Sequence, residues 1–340
     1  MNNNKILNIK GDEMNVLSLF DGMSCGQIAL ERVGIKVDNY FASEIDKHAI
    51  KVSKDNYPDI VHLGDVTHID ISKLPKIDLL LGGSPCQGFS NAGKGLNFDD
   101  PRSKLFFEYV RIMKELKPRW FLLENVKMKK EWQNIITEYI GVQPVLINSA
   151  SFSAQNRQRL YWTNIPVGLV VDKGIKLKDI LLDEVDKKYY QNDSWMKWWD
   201  KNKEKQLSKR YSTLDADKSG CMTARQYASW NGTFITIPEA TKKGYTEIQN
   251  GNCFDGTFPD SNTRRGRNMK DKCNCLTAAK SDYLRYEHPR IRRLTPVEAE
   301  RLQTVPDNYT SSVSDTQRYK MLGNGWTVDV IAHIFNGMFE

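Results

Sequence analysis

No stretch of the 340-residue chain approaches the roughly 18 consecutive apolar residues that a spanning helix needs, so no membrane association is expected. The amino-terminal MNNNKILNIKGDEMN has no signal-type apolar segment, and residues 1–13 read as a polar tail, so an intracellular protein is expected. Its six cysteines (Cys25, Cys86, Cys221, Cys253, Cys273 and Cys275) are then expected as thiols, not as a disulfide framework. None stands in a Cys-x₂-Cys pair and the five histidines show no ligand spacing, so no structural metal is expected. The dinucleotide signature G-x-G-x-x-G is also missing.

What is there is ordinary in amount and uneven in place. Hydrophobic residues make up 40% and charged residues 27%, enough to bury a sizeable core. The net charge of +7 is concentrated: 23 basic against 17 acidic residues in 171–290, compared with 21 against 19 in 1–170 and 5 against 6 in 291–340. A basic block on a near-neutral body suits phosphate attraction, and on charge alone it equally suits a lysine-rich solvated surface.

The first part of the chain alternates strand and helix. VLSLF (16–20), VDNYFAS (37–43), Val61–Leu63, IDLLLGG (77–83) and WFLLEN (120–125) read as strands. Between them lie helical stretches at 24–33, with Ser24 as its cap, at 46–56, and from Leu105 to a stop at Pro118. That alternation implies an open, mainly parallel α/β sheet with its chemistry at the carboxyl ends of the strands. After about residue 165 the pattern becomes irregular, with short β-like pieces. Helical periodicity returns from Leu294, and the stripe Val330, Ile331, Ile334, Phe335 and Met338 is expected to pack back on the first domain. The expected division is a catalytic unit of 14–165 plus 310–340 and a smaller, mostly irregular or β unit of 166–309.

Chemistry-bearing residues fall at the predicted strand ends. Phe20-Asp21-Gly22-Met23-Ser24-Cys25-Gly26 is a glycine-bearing turn between strand and helix, suited to a nucleotide-like ligand. Glu44, ending the next strand, suits the two hydroxyls of a ribose, and Asp65, after the third, suits an adenine amino group. Two acids without a basic phosphate clamp favour an adenosine ligand that lacks pyrophosphate. Gly83-Ser84-Pro85-Cys86-Gln87-Gly88 delivers a thiol into a polar loop after a buried strand, against the plainer alternative of an inert packed cysteine. Glu124, between Leu123 and Asn125-Val126, is expected to be partly desolvated and able to share a proton with a ring nitrogen. Gln155-Asn156-Arg157-Gln158-Arg159 presents two arginines on one face if it is a strand.

In this order, and with Arg293-Leu294-Thr295-Pro296-x-Glu298 and Gly323-Asn324 after them, these segments resemble the motif set of the DNA cytosine-5 methyltransferases. The likeness spans about 20–330, with only the middle block unmatched. The Phe-Asp-Gly turn and Gly323-Asn324-Gly325-Trp326-Thr327-Val328 resemble the animal de novo enzymes; the proline–cysteine–glutamine loop is closer to bacterial and phage ones. The resemblance implies a Rossmann-like methyltransferase sheet, S-adenosyl-L-methionine as cofactor, and a flipped-out cytosine in double-stranded DNA as target. It implies that Cys86 adds to C6, that Glu124 holds N3 and the exocyclic amine, that Arg159 contacts O2 or a phosphate, and that Arg157 orients Glu124.

For the cofactor the resemblance implies Phe20, Asp21, Gly22, Met23, Glu44, Ile45, Asp65, Val66, Pro85 and Asn324. Ser24 and Cys25 depart from the glycines common in bacterial turns, and a packing role is expected for Cys25. Gln87, Ser90 and the loop to Arg102 are expected to close over the base, and 166–309 to read sequence through Arg225, Gln226, Arg264, Arg265 and Arg267. A monomer in a prokaryotic or phage-infected cytoplasm is expected, with a companion restriction endonuclease as a possible partner. Two rival readings share the scaffold: a tRNA cytosine-5 methyltransferase and a catalytically silent DNA-binding protein.

Overall fold

The computed structural model describes residues 14–84, 101–190, 211–213, 217–222, 224, 234–236, 253–255, 283–285 and 292–339; for 101–103 and the four three-residue strands it gives the backbone alone. The amino-terminal half runs β1 (Asn15–Leu19), α1 (Cys25–Arg32), β2 (Asn39–Ser43), α2 (Lys47–Asn56), β3 (Val61–His62), β4 (Leu79–Gly82), α3 (Pro101–Leu116), β5 (Trp120–Val126), α4 (Lys130–Ile140), β6 (Val145–Asn148) and β7 (Gln158–Thr163). These strands form one seven-stranded sheet in the order β3-β2-β1-β4-β5-β7-β6. Every neighbouring pair from β3 to β5 is parallel, whereas β7 runs antiparallel to both β5 and β6. The order reverses between β1 and β4, and at such a switch point an open sheet leaves a crevice beyond its strand ends.

Alternation along the strands builds two layers. Val16, Leu79, Leu81 and Leu122 face a core shared with α1, while Leu17, Leu19, Leu80 and Leu123 face one shared with Phe106, Tyr109 and Ile112 of α3 and Ile136 of α4. With both faces covered, the central strands read as continuous apolar runs, which made them legible.

The remainder comprises β8 (Tyr211–Thr213), β9 (Phe234–Thr236), β10 (Cys253–Asp255), β11 (Tyr283–Arg285), β12 (Arg292–Arg293), α5 (Pro296–Leu302), α6 (Asp315–Asn324) and α7 (Val328–Phe335). The short strands pair as β12-β9-β8 and β10-β11. Val330, Ile331, Ile334 and Phe335 of α7 are buried in the core that also holds Ile28, Ala29 and Leu30 of α1, so the last helix does return to the sheet. Among the described residues no helix is long and apolar enough to cross a membrane.

One local expectation fails. Ser24 does not cap α1 through its side chain, because it sits in the left-handed region at φ 64°. Its hydroxyl instead donates to Asp21 Oδ2 at 2.6 Å and lies 2.7 Å from Ser53 Oγ. The serine still holds the N-cap position, its carbonyl accepting the Gln27 N–H at 3.1 Å and the Ile28 N–H at 3.3 Å, while its side chain closes the turn after β1.

Candidate active site

A cleft of about 710 Å³ opens over the carboxyl edge of the sheet, within the range that holds small ligands. Each parallel strand delivers residues to it: Phe20, Asp21 and Gly22 after β1, Ser43 and Glu44 from β2, Gly64, Asp65 and Val66 after β3, Gly83 and Ser84 after β4, and Glu124 to Val126 from β5. Because β7 is reversed, its beginning reaches the same edge and brings Arg157 and Arg159. The end of α6 and the loop after it complete the wall with Gly323 to Trp326.

One side of the cleft is acidic. Asp21 accepts from Tyr40 Oη at 2.7 Å as well as from Ser24, and burial raises its carboxyl from the ordinary value of 3.8 despite those bonds. Glu44 Oε2 accepts from the Gly22 N–H at 2.8 Å, and its Oε1 from the N–H groups of Ile45 at 2.7 Å and Asp46 at 2.8 Å. These use three of the roughly four acceptor positions of a carboxylate, so Oε2 is left with one for a ligand, where two hydroxyls were expected. Asp65 Oδ1 takes the Thr67 N–H and hydroxyl, both at 2.9 Å, and the N–H leads in holding the carboxyl below its ordinary range. Beside them Ile45 is 74% exposed, a large apolar side chain at the rim of a cleft. Acids, an exposed apolar rim and a turn in which Gly22 has φ 62° fit a cationic adenosine compound such as S-adenosylmethionine.

The other side centres on Glu124. It is 9% exposed, and its Oε1 faces Arg159 Nε at 3.0 Å while its Oε2 accepts from Trp326 Nε1 at 3.2 Å. Register explains the first contact. Glu124 lies opposite Tyr161, so Arg159, two residues earlier on β7, is its diagonal neighbour on the same face. The adjoining Asn125 Nδ2 donates to Ser84 O at 3.4 Å and Ser84 Oγ at 3.3 Å, tying the end of β5 to the start of the segment that carries Cys86.

Arg157 does something other than expected. It is 3% exposed, and its guanidinium donates to the carbonyls of Met222 at 3.1 Å, Gly323 at 3.1 Å and Gly325 at 2.9 Å. It lies just before β7 and its guanidinium binds backbone carbonyls, whereas Arg159 binds Glu124. Burial, then the neighbouring Arg159, lowers its pKa below the ordinary 12.5.

The structure therefore gathers Phe20, Asp21, Gly22, Glu44, Ile45, Asp65, Val66, Glu124, Arg157, Arg159 and Asn324 around one cleft. Met23 is 1% exposed and packs in the core beneath it. Cys25 is also buried, which pushes its thiol up to about 12 and suits the packing role expected of it. Pro85, Cys86, Gln87, Ser90, Arg225, Gln226, Arg264, Arg265 and Arg267 lie outside the described residues, as does the side chain of Arg102. Trp326, Cys221 and Lys320 also line the cleft, although the sequence reading gave them no site role. For Trp326 the signal was available: a large aromatic directly follows Gly323-Asn324-Gly325.

Comparison with known proteins gives this cleft a context. The family model described as C-5 cytosine-specific DNA methylase matches residues 14–340. The type II methyltransferase M1.ScrFI of Lactococcus lactis subsp. cremoris is 33% identical, over 98% of this chain and 80% of that protein. The orphan methyltransferase M.SPRI of Bacillus phage SPR is 30% identical, over 96% of this chain and 98% of its own. Among solved structures, the Entamoeba histolytica methyltransferase EhMeth superposes with a TM-score of 0.68 at 17% identity, covering 96% of this chain and 98% of that one, a likeness of fold alone.

Proposed function

Because this chain belongs to the C-5 cytosine-specific DNA methylase family, and is a DNA cytosine-5 methyltransferase that uses S-adenosylmethionine, we propose that Cys86, Glu124 and Arg159 carry its reaction. Cytosine C5 is too weak a nucleophile to take a methyl group unaided. The Cys86 thiolate adds to C6, and the electrons displaced through the ring gather toward N3 and O2. Glu124 meets N3 and the exocyclic amine and steadies that charge; Arg159, held at 3.0 Å from Glu124, is assigned to O2 or the adjoining phosphate. Bound S-adenosylmethionine supplies an electrophilic methyl group on a sulfonium. Once C5 carries that methyl, loss of the C5 proton returns electrons to the ring and the C6–S bond breaks, freeing Cys86.

The observation that carries this reading is the placing of Glu124 beside an anchored Ser84. Cys86 follows Ser84 by two residues, a span of at most about 7 Å. On the acidic side, Glu44 and Asp65 hold the ribose and the adenine amino group, Ile45 and Val66 flank the base, and Asp21, Gly22 and Phe20 lie toward the sulfonium. Met23 supports this turn from the core, and Asn324 and Pro85 serve the methionine end.

Residues 166–309 form the recognition unit in this reading, apart from the catalytic unit of 14–165 plus 310–340. Arg225, Gln226, Arg264, Arg265 and Arg267 are assigned to bases and phosphates, and Gln87, Ser90 and Arg102 to the strand around the flipped cytosine. Relatives named type II and orphan methyltransferases, from a bacterium and a phage, support action on specific sites inside bacterial or phage-infected cells, with or without a companion endonuclease; the chain is taken to act as a monomer. The test is transfer of labelled methyl from S-adenosylmethionine to mixed-sequence duplex DNA beside total tRNA. The reading expects 5-methylcytosine in the duplex and none with Glu124→Ala. Methylation of tRNA but not of DNA, or an active Glu124→Ala, overturns it.

A further inference from the structure

The reaction described above assigns no part to the tryptophan that touches its central carboxylate. Trp326 stands on the loop between α6 and α7, and its indole N–H donates to Glu124 Oε2 at 3.2 Å, while Arg159 holds Oε1. A glutamate carboxylate turns broadly about its last torsion, so a single partner leaves its plane free to rotate. Donors on both oxygens remove that freedom. We propose that Trp326 is a positioning residue for the methyl transfer: with Arg159 it fixes the plane in which Glu124 meets the edge of the cytosine. This rests on the reading that Glu124 contacts the base.

Three features show that the indole is held for this contact. Arg157 donates to Gly323 O and Gly325 O, and Gln303 Nε2 donates to Leu322 O at 2.6 Å and Gly325 O at 3.3 Å, so the backbone leading to Trp326 is tied down from two sides. The Trp326 backbone N–H meets the sulfur of Cys25, which gives that buried thiol a job in the turn where the family more often has glycine. Finally, Gly83 clears the space. A Cβ there would lie 3.0 Å from Trp326 Nε1 and 3.3 Å from Glu124 Oε2, crowding both partners from the side of their bond. The expectation that Arg157 orients Glu124 thus has an indirect form, through the backbone that carries Trp326.

Trp326→Phe keeps an aromatic ring and removes the donor. A charge-assisted hydrogen bond of this kind is expected to change kcat by about ten- to a hundredfold. With kcat and KM measured on duplex DNA and S-adenosylmethionine, kcat should fall tenfold or more while the KM for the cofactor stays within twofold. A smaller fall, or one accompanied by a larger rise in that KM, overturns the proposal and leaves Trp326 as cofactor wall. Gly83→Ala supplies a readout that plain packing would not give. Its loss of kcat should be smaller in Trp326→Phe than in the wild-type background, because one of the two contacts it crowds is already gone; fully additive losses contradict the proposal. Glu124→Ala, measured alongside, separates the two failures: if it is active, the reading of Glu124 is wrong, whereas if it is inactive and Trp326→Phe is unimpaired, only the role of Trp326 falls.

Discussion

Removing Glu298 should unfold this enzyme at a lower temperature without touching its chemistry. Glu298 lies in the first turn of α5, is fully buried, and accepts from four donor atoms: Arg292 Nη1 and Nη2 at 2.8 Å each, the Thr295 N–H at 2.7 Å and the Leu182 N–H at 2.9 Å. It therefore joins the helix start, β12 and the segment near residue 180 in one buried node. Glu298→Ala leaves Arg292, itself 8% exposed, without its carboxylate. Breaking a buried pair from one side costs about 3–5 kcal/mol. For 340 residues the unfolding entropy is about 0.7 kcal/mol/K, so Tm should drop by roughly 4–7 °C in a thermal melt. Asp55→Asn, which breaks the exposed pair with Lys51, should move Tm by no more than about 1 °C. The double variant Arg292→Met with Glu298→Met should recover only the part of the loss that comes from the stranded Arg292 charge, since the Thr295 and Leu182 N–H groups still lose their acceptor. A Glu298→Ala melt indistinguishable from wild type refutes the reasoning, as does methylation lost at 20 °C in a variant with an unchanged melt.

Two further predictions concern the sheet edge. A methyl group at Gly82 would lie 2.6 and 2.7 Å from Cδ2 and Cε2 of the fully buried Tyr109, so Gly82→Ala should lower stability by about 1–3 kcal/mol; an unchanged urea midpoint would contradict this. Asp21 has a carboxyl raised by burial above 3.8, so the folded chain keeps a proton that the unfolded chain has already released. The contribution of Asp21 is therefore full below that value and is lost as pH climbs through the raised native one. Across that window Asp21→Asn should gain stability relative to wild type, measured by urea unfolding at several pH values. A flat difference, or one of opposite slope, would count against it.

Much of this site was legible because its residues sit at strand ends, and strand ends follow from apolar runs. Leu79 to Leu81, buried on both faces, mark β4 plainly, so the position of Gly83-Ser84 followed; the same holds for Glu124 at the end of β5. What could not be read locally depends on partners far along the chain. The reversed β7 is fixed by pairing across 30 or more residues with β5, and only that pairing brings Arg159 to Glu124 while sending Arg157 elsewhere. Ser24 has the composition of a helix cap, yet Asp21 and Ser53 draw its hydroxyl into a left-handed turn. Trp326 and Glu124 are 202 residues apart, and nothing near either one announces the bond between them.

The reaction turns on a transient bond between the Cys86 sulfur and a pyrimidine carbon. Mixed-sequence duplex DNA carrying 5-fluorocytosine should trap it, because fluorine at C5 cannot leave as the proton does. Incubated with the enzyme and S-adenosylmethionine, such DNA should give an adduct that survives denaturing electrophoresis and maps by peptide mass to Cys86. Cys86→Ala should give none. No adduct with the wild-type enzyme, or an adduct mapping to Cys25 or Cys221, would contradict the claim.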